Sequence, residues 1–185
     1  MDNFFKKVWN FEVKSQKTVM GMPLFHLARN AKGFFAVGLK AKGVMPFGLL
    51  AIGAIPFGLL SIGLLPFGML SIGLGAFGLF AIGLVAAGSI SAGILSFGAI
   101  TVGIVSFGAV SVGEFALGAL SIGHYFAYGD HAQAMFAFGD SEAQGIIFEC
   151  INGVTAYDKQ FIWRQMKEEI PWIYHWIVDI IVQFL

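Results

Sequence analysis

The chain has 185 residues, of which 57% are hydrophobic and 12% charged, against about 25% charged in a soluble domain; that is too little charge to coat a water-soluble protein of this size. The net charge is zero, but it hides a dipole: residues 1–42 balance at +6, residues 43–113 have no charged side chain, and residues 114–185 balance at −6. The single cysteine, Cys150, excludes an internal disulfide framework.

Met1 to Lys17 alternates polar and apolar residues, without the apolar core and small-residue cleavage site of a secretory signal. A strand pair is expected around Phe11–Val13 and Thr18–Met20, with Pro23 at a turn or edge. Together residues 1–30 are expected to form a β cap over the segment that follows, since an open strand edge invites pairing with other chains.

From Gly33 to Gly123 glycine stands at every fifth position, nineteen times without a gap. Two residues before each glycine the side chain is Ala, Ser, Thr or Pro, as at Ala51, Pro56, Ser61 and Pro66. Two residues after it the side chain is large and apolar in seventeen of nineteen cases, Lys40 and Gly75 being the exceptions. The residue before glycine alternates between Phe and Ile (Phe47, Ile52, Phe57, Ile62, Phe67, Ile72), so ten residues is a half-cycle or a full cycle.

A bundle of transmembrane helices is the first candidate for so apolar a stretch. Three features oppose it. Steps of five residues scatter the glycines around a helix, each glycine costs about 1 kcal/mol there against Ala, and residues 43–113 offer no polar connecting loops. The small–apolar–Gly–apolar–large unit resembles the pentapeptide-repeat family instead, as in Gly48 then Leu50 and Gly58 then Leu60. That resemblance implies a right-handed, four-sided β-solenoid of five-residue sides, twenty residues per coil, over residues 31–145. It departs from soluble members in its outward positions, which are Leu, Ile, Phe, Ala and Pro. The opening, Gly21-Met22-Pro23-Leu24-Phe25-His26 before Ala31-Lys32-Gly33, resembles uncharacterised bacterial proteins with the same segment ahead of an Ala-Ile-Gly array. This second resemblance implies architecture only.

Coils of a solenoid hydrogen-bond to the coils above and below, so the side of the stack meets the requirement that lipid places on a backbone. With twenty residues per coil, 31–140 makes about 5.5 coils, roughly 26 Å at ~4.8 Å each, near the ~30 Å bilayer core. The family spacing points Gly and the large residue inward and fills the coil with Leu, Ile and Val. The alternative turns the Ala/Ser/Pro column and Gly inward and leaves a hollow, Ser-lined coil.

After Tyr125 one inserted residue breaks the array, and polar residues appear: Glu114, His124, Asp130, His131, Asp140 and Glu142. On a square coil ten-residue separations fall on opposite faces, so these read as a solvated rim and not as a metal site. Residues 146–185 are expected to be helical. An amphipathic helix covers 155–170, with Phe161, Ile162, Met166 and Ile170 on its apolar face and Asp158, Lys159, Lys167 and Glu168 on the other. Pro171 then starts an apolar helix to Leu185. On it His175, Asp179 and Gln183 make one polar stripe, a candidate partner-facing surface, while Trp172, Tyr174 and Trp176 suit a membrane interface.

No nucleophile–base pairing, phosphate loop or paired carboxylates stands out, so the expectation is no enzyme and no cofactor or metal. Nucleic acid is not an expected partner either, since lipid headgroups account for the N-terminal lysines. The sequence reads as an integral membrane scaffold or subunit that docks a homo-oligomer or partner protein through its C-terminal helices, with its N-terminus cytoplasmic by the positive-inside rule. The competing reading is a pore-forming or permeabilising protein.

Overall fold

A repeat of five is odd, so strict β alternation would swap the two faces at every repeat unless each unit also bends. The computed structural model, which describes residues 13–15, 18–19, 22–151 and 156–184, bends just after glycine, as at Ala54–Ile55 and Leu64–Leu65. The chain divides into two compact units, Met1–Gly98 and Ala99–Leu185. Among the described residues eight strands run in order: β1 (Val13–Lys14), β2 (Thr18–Val19), β3 (Met22–Pro23), β4 (Phe25–Leu27), β5 (Asn30–Gly53), β6 (Phe57–Gly63), β7 (Phe67–Leu117) and β8 (Leu120–Ile151). Helix α1 (Ala156–Glu169), a 3₁₀ turn at Trp172–Tyr174 and helix α2 (His175–Phe184) follow.

In the first unit the pairing is parallel with a register of ten: Phe25 lies against Phe35, Gly48 against Gly58, Leu60 against Leu70. The array is therefore a β-solenoid, but each coil takes ten residues and two five-residue sides, where the resemblance implied twenty and four. The Phe/Ile alternation marks the two sides of one coil. Phe47, Phe57, Phe67 and Phe77 accordingly stack with centroids 5.0–5.1 Å apart and rings within 10° of parallel.

Which column faces inward also differs from the expectation. The small residues are buried: Ala41, Ala51, Ser61, Ser71 and Ala81 down one side, Ala36, Pro46, Pro56, Pro66, Ala76 and Ala86 down the other. Leu60 is 41% exposed and its neighbour Ser61 fully buried. The inward column is that of the hollow coil, yet the two sides of the coil lie in contact. A methyl group on Gly53 would lie 2.8 Å from the ring of Pro46, and one on Gly68 2.8 Å from the hydroxyl of Ser61, both from the opposite side. Each side's small residues thus fill the notches left by the other side's glycines. With two walls this close there is no room for Leu inside.

Glycine is required by the stacking as well. A methyl group on Gly58 would overlap the carbonyl oxygen of Gly48 in the preceding coil, and one on Gly63 that of Gly53. Buried hydroxyls reach backbone carbonyls, Ser61 Oγ donating to Leu70 O at 3.5 Å, Ser71 Oγ to Phe80 O at 3.4 Å and Ser91 Oγ to Phe97 O at 3.1 Å.

At the front, β1 pairs antiparallel with β4 (Lys14 against His26) and β2 with β3 (Val19 against Met22). The two early strands therefore pair with later segments and not with one another; Phe11 and Met20 lie outside the described residues. The buried His26 ties this corner, Lys32 N–H donating to its Nδ1 at 2.9 Å.

In the second unit β7 and β8 keep the register of ten as far as Gly113 against Gly123, then shift to eleven at Phe115 against Phe126. This is the insertion expected after Tyr125, absorbed as a bulge opposite Glu114. Beyond it the outward-facing Phe115, Phe126, Phe136 and Phe138 form a core with Ile162, Met166 and Ile170, and with Ile177 and Val178 of α2. Helix α1 ends at Glu169, and where the second helix was expected to start at Pro171 a 3₁₀ turn precedes α2; Phe161 is exposed instead of joining the apolar face.

Three substitutions test the inward column. Gly58→Ala and Ser61→Leu should each cost about 3 kcal/mol or more by forcing the walls apart, whereas Leu60→Ala should cost about 1 kcal/mol, read by thermal unfolding in detergent. Tolerance of Ser61→Leu together with collapse of Leu60→Ala would place the large residue inside.

Candidate functional site

With the small residues and glycines turned in, every large residue of the array is left on the outside. From Val44 to Phe97 the outward positions are apolar except Ser89. They form columns: Leu49, Leu59, Met69 and Leu79; Ile62, Ile72 and Ile82; Leu64, Leu74, Leu84 and Ile94, all exposed. This apolar surface goes around both sides of the coil, and monomeric soluble proteins rarely expose contiguous apolar patches beyond a few hundred Å². The backbone beneath it offers little to water, because coil-to-coil pairing uses its N–H and C=O groups. The uncharged run continues to residue 113, and at ten residues per coil its share in the first unit, 43–98, makes about five and a half coils, about 26 Å. No helix among the described residues is long and apolar enough to cross a membrane, which leaves crossing by strands open.

The polar residues after the array gather differently from the expectation. A coil of ten puts residues ten or eleven apart on the same face, so His131 Nδ1 lies 3.3 Å from Glu142 Oε2, and Gln133 Nε2 donates to Gln144 Oε1 at 3.0 Å. Gln144 in turn donates to Glu142 at 2.9 Å, and the whole ladder is exposed. Among the described residues no three His, Cys, Asp or Glu side chains come together to hold a metal ion. Glu114, opposite the bulge, has its Oε2 buried with no hydrogen-bond partner; the side chain of Asp140 lies outside the described residues.

The polar stripe of α2 is partly engaged within the chain. Asp179 Oδ1 accepts from Trp163 Nε1 and from Lys167 Nζ, each at 2.8 Å, and Lys167 also lies 4.2 Å from the Trp163 ring. Trp163 and Lys167 share a face of α1 at four-residue spacing, a signal that the sequence reading did not connect with Asp179. His175 Nε2 is 3.1 Å from the carbonyl oxygen of Ile170, and Gln183 is exposed. Of the three aromatic residues, Trp172 and Trp176 are 82% and 63% exposed. Tyr174 turns to the core, its ring 5.5 Å from Phe115 and 6.1 Å from Tyr125. Trp172, Ile173, Trp176 and Ile180 thus leave an apolar outer surface on the C-terminal segment.

Comparison with protein families, with characterised proteins and with solved structures finds no match to this chain.

The Lys167 and Trp163 hydrogen bonds hold the Asp179 carboxyl below the usual carboxylate range. A depressed folded pKa means that this contribution is present above the unfolded pKa and is lost as pH falls through the folded value. Hydrogen exchange of the α1 and α2 amides should therefore speed up in Asp179→Asn at neutral pH. The difference from wild type should vanish in strong acid, below the ordinary carboxylate range. Equal exchange in the two proteins at neutral pH would mean that Asp179 does not hold the helices together.

Proposed function

We infer that this protein is a non-catalytic membrane scaffold or subunit, embedded in the bilayer by its solenoid. The observation that carries the reading is the outward surface of the first unit, apolar at every position but Ser89 between Val44 and Phe97. In water that surface costs free energy at about 25 cal/mol per Å² left exposed; in lipid it costs nothing. The first unit's part of the uncharged run, about 26 Å high, fits within a hydrocarbon core of about 30 Å, which supports a coil axis along the membrane normal. The +6 balance of residues 1–42 favours a cytoplasmic N-terminus. Trp172 and Trp176 suit the headgroup region, and the exposed face of the C-terminal helices is where a partner protein or a second copy would dock. A pore through the coil of the first unit is disfavoured because small side chains and glycines fill the interior; the related pentapeptide-repeat origin rests on the repeat pattern alone.

Leu49 and Met69 test the embedding, since they stand in one outward column two coils apart. An arginine facing lipid costs about 2–4 kcal/mol at the bilayer midplane and about 0–1 near its edge. In lipid vesicles Met69→Arg should therefore destabilise by several-fold more than Leu49→Arg, read from denaturant unfolding. A chain that stays monomeric without detergent, with both substitutions neutral, would refute the membrane reading.

A further inference from the structure

The charged residues of the first coils stand in a definite place. Arg29, Lys32, Lys40 and Lys42 are all exposed, and directly beyond Lys42 the exterior turns apolar with Val44, Met45, Phe47 and Leu49. The contact that would bring a methyl group on Gly43 into the carbonyl oxygen of Gly33 sets these coils in the register of ten. Lys32 therefore lies beside Lys42 on the next coil, about 4.8 Å away along the backbone. Lys40 N–H donates to the carbonyl oxygen of Arg29 at 2.9 Å, which sets Lys40 beside Arg29, two residues along the chain from Lys42.

Like charges in register on neighbouring strands destabilise a sheet. The sequence holds no Asp or Glu from residue 13 to residue 113, so no carboxylate of that stretch offsets Lys32 against Lys42. An external anion would remove the repulsion. Its chemistry follows from what lies next to the lysines: anionic oxygen on one side and hydrocarbon on the other. Lysine stems can lie along an apolar surface while their ammonium groups reach toward a headgroup. We propose that Lys32, Lys40 and Lys42 form a collar that binds the phosphates of anionic phospholipids at the leaflet where the apolar exterior begins. The inference rests on the membrane reading and adds to it a lipid class and a depth: Gly43 marks the step from headgroup to hydrocarbon. The source is a lipid and not free phosphate, because the lysines stand on an open surface against apolar columns.

The test uses the full chain reconstituted in phosphatidylcholine, with trace spin-labelled phosphatidylglycerol or phosphatidylcholine, and reads the motionally restricted fraction of each. An attraction equal to that of one basic residue near the surface, about 1 kcal/mol, gives wild type a preference for phosphatidylglycerol of roughly fivefold. In K32Q/K40Q/K42Q that preference should fall to about one, and in K32R/K40R/K42R it should persist. Lys42→Gln alone, the milder change, should lower it partway. Replacing Lys6, Lys7 and Lys17 by Gln removes the same charge elsewhere in the sequence; an equal loss from that change would mean diffuse attraction and overturn the collar. Loss of the wild-type preference to inorganic phosphate, but not to chloride at matched ionic strength, would make this a free-anion site and overturn it too. Restricted lipid without any preference overturns the collar alone, whereas no restricted lipid around wild type overturns the membrane reading with it.

Discussion

The carbonyl oxygen of Gly48 occupies the place where a side chain on residue 58 would begin, and that contact between coils governs the array. It demands glycine at each such position, and glycine in turn lets the two sides of the coil approach until only Ala, Ser, Thr or Pro fits between them. Nothing larger can turn inward, so Leu60, Met69, Ile72 and their like must turn out. A narrow interior and an apolar exterior are therefore one property seen from two sides.

The energetics follow from that geometry. A coil lined by Ala51 and Pro46 buries little apolar area internally, and the half-exposed Leu and Ile columns gain less from folding in water than a buried core would. What the stack does gain is continuous backbone pairing and outward ladders such as Phe47–Phe57–Phe67–Phe77, where each stacked pair adds about 0.5–1.5 kcal/mol. Lipid around the columns would complete the burial that the interior cannot supply. The second unit meets the same need within the chain: α1 and α2 bring Ile162, Met166, Ile177 and Val178 onto Phe115, Phe126 and Phe136. There a pair of helices covers the kind of outward residue that the first unit leaves bare.

Much of this was legible in the residues, though not all. The glycine period and the Ala/Ser/Pro column announced a solenoid, and the alternation of Phe47 with Ile52 held the coil length of ten. That length was misread as twenty because a family spacing was carried over. The same family spacing points Leu60 inside, which fails when two walls lie in contact. The bulge opposite Glu114 was visible as an inserted residue after Tyr125, but its register needed the paired strands. Asp179 was seen as polar on an apolar helix; its engagement by Trp163 and Lys167 depends on how two helices fold back across Pro171, which no local pattern encodes. Tyr174 looked like Trp172 and Trp176 in sequence and differs because Phe115 and Tyr125 lie against it.

The length of the coil is the claim on which the inward column, the outward surface and the uncharged height all depend. Spin labels on paired cysteines measure it directly, in a Cys150→Ser background, at Leu59 with Met69 and at Leu59 with Leu79. A ten-residue coil places the first pair one coil apart, about 4.8 Å along the backbone, and the second two coils apart, about 10 Å, so dipolar broadening should be stronger for 59 with 69. The reverse order, with 59 and 79 the closer pair, would mean a twenty-residue coil and contradict the account.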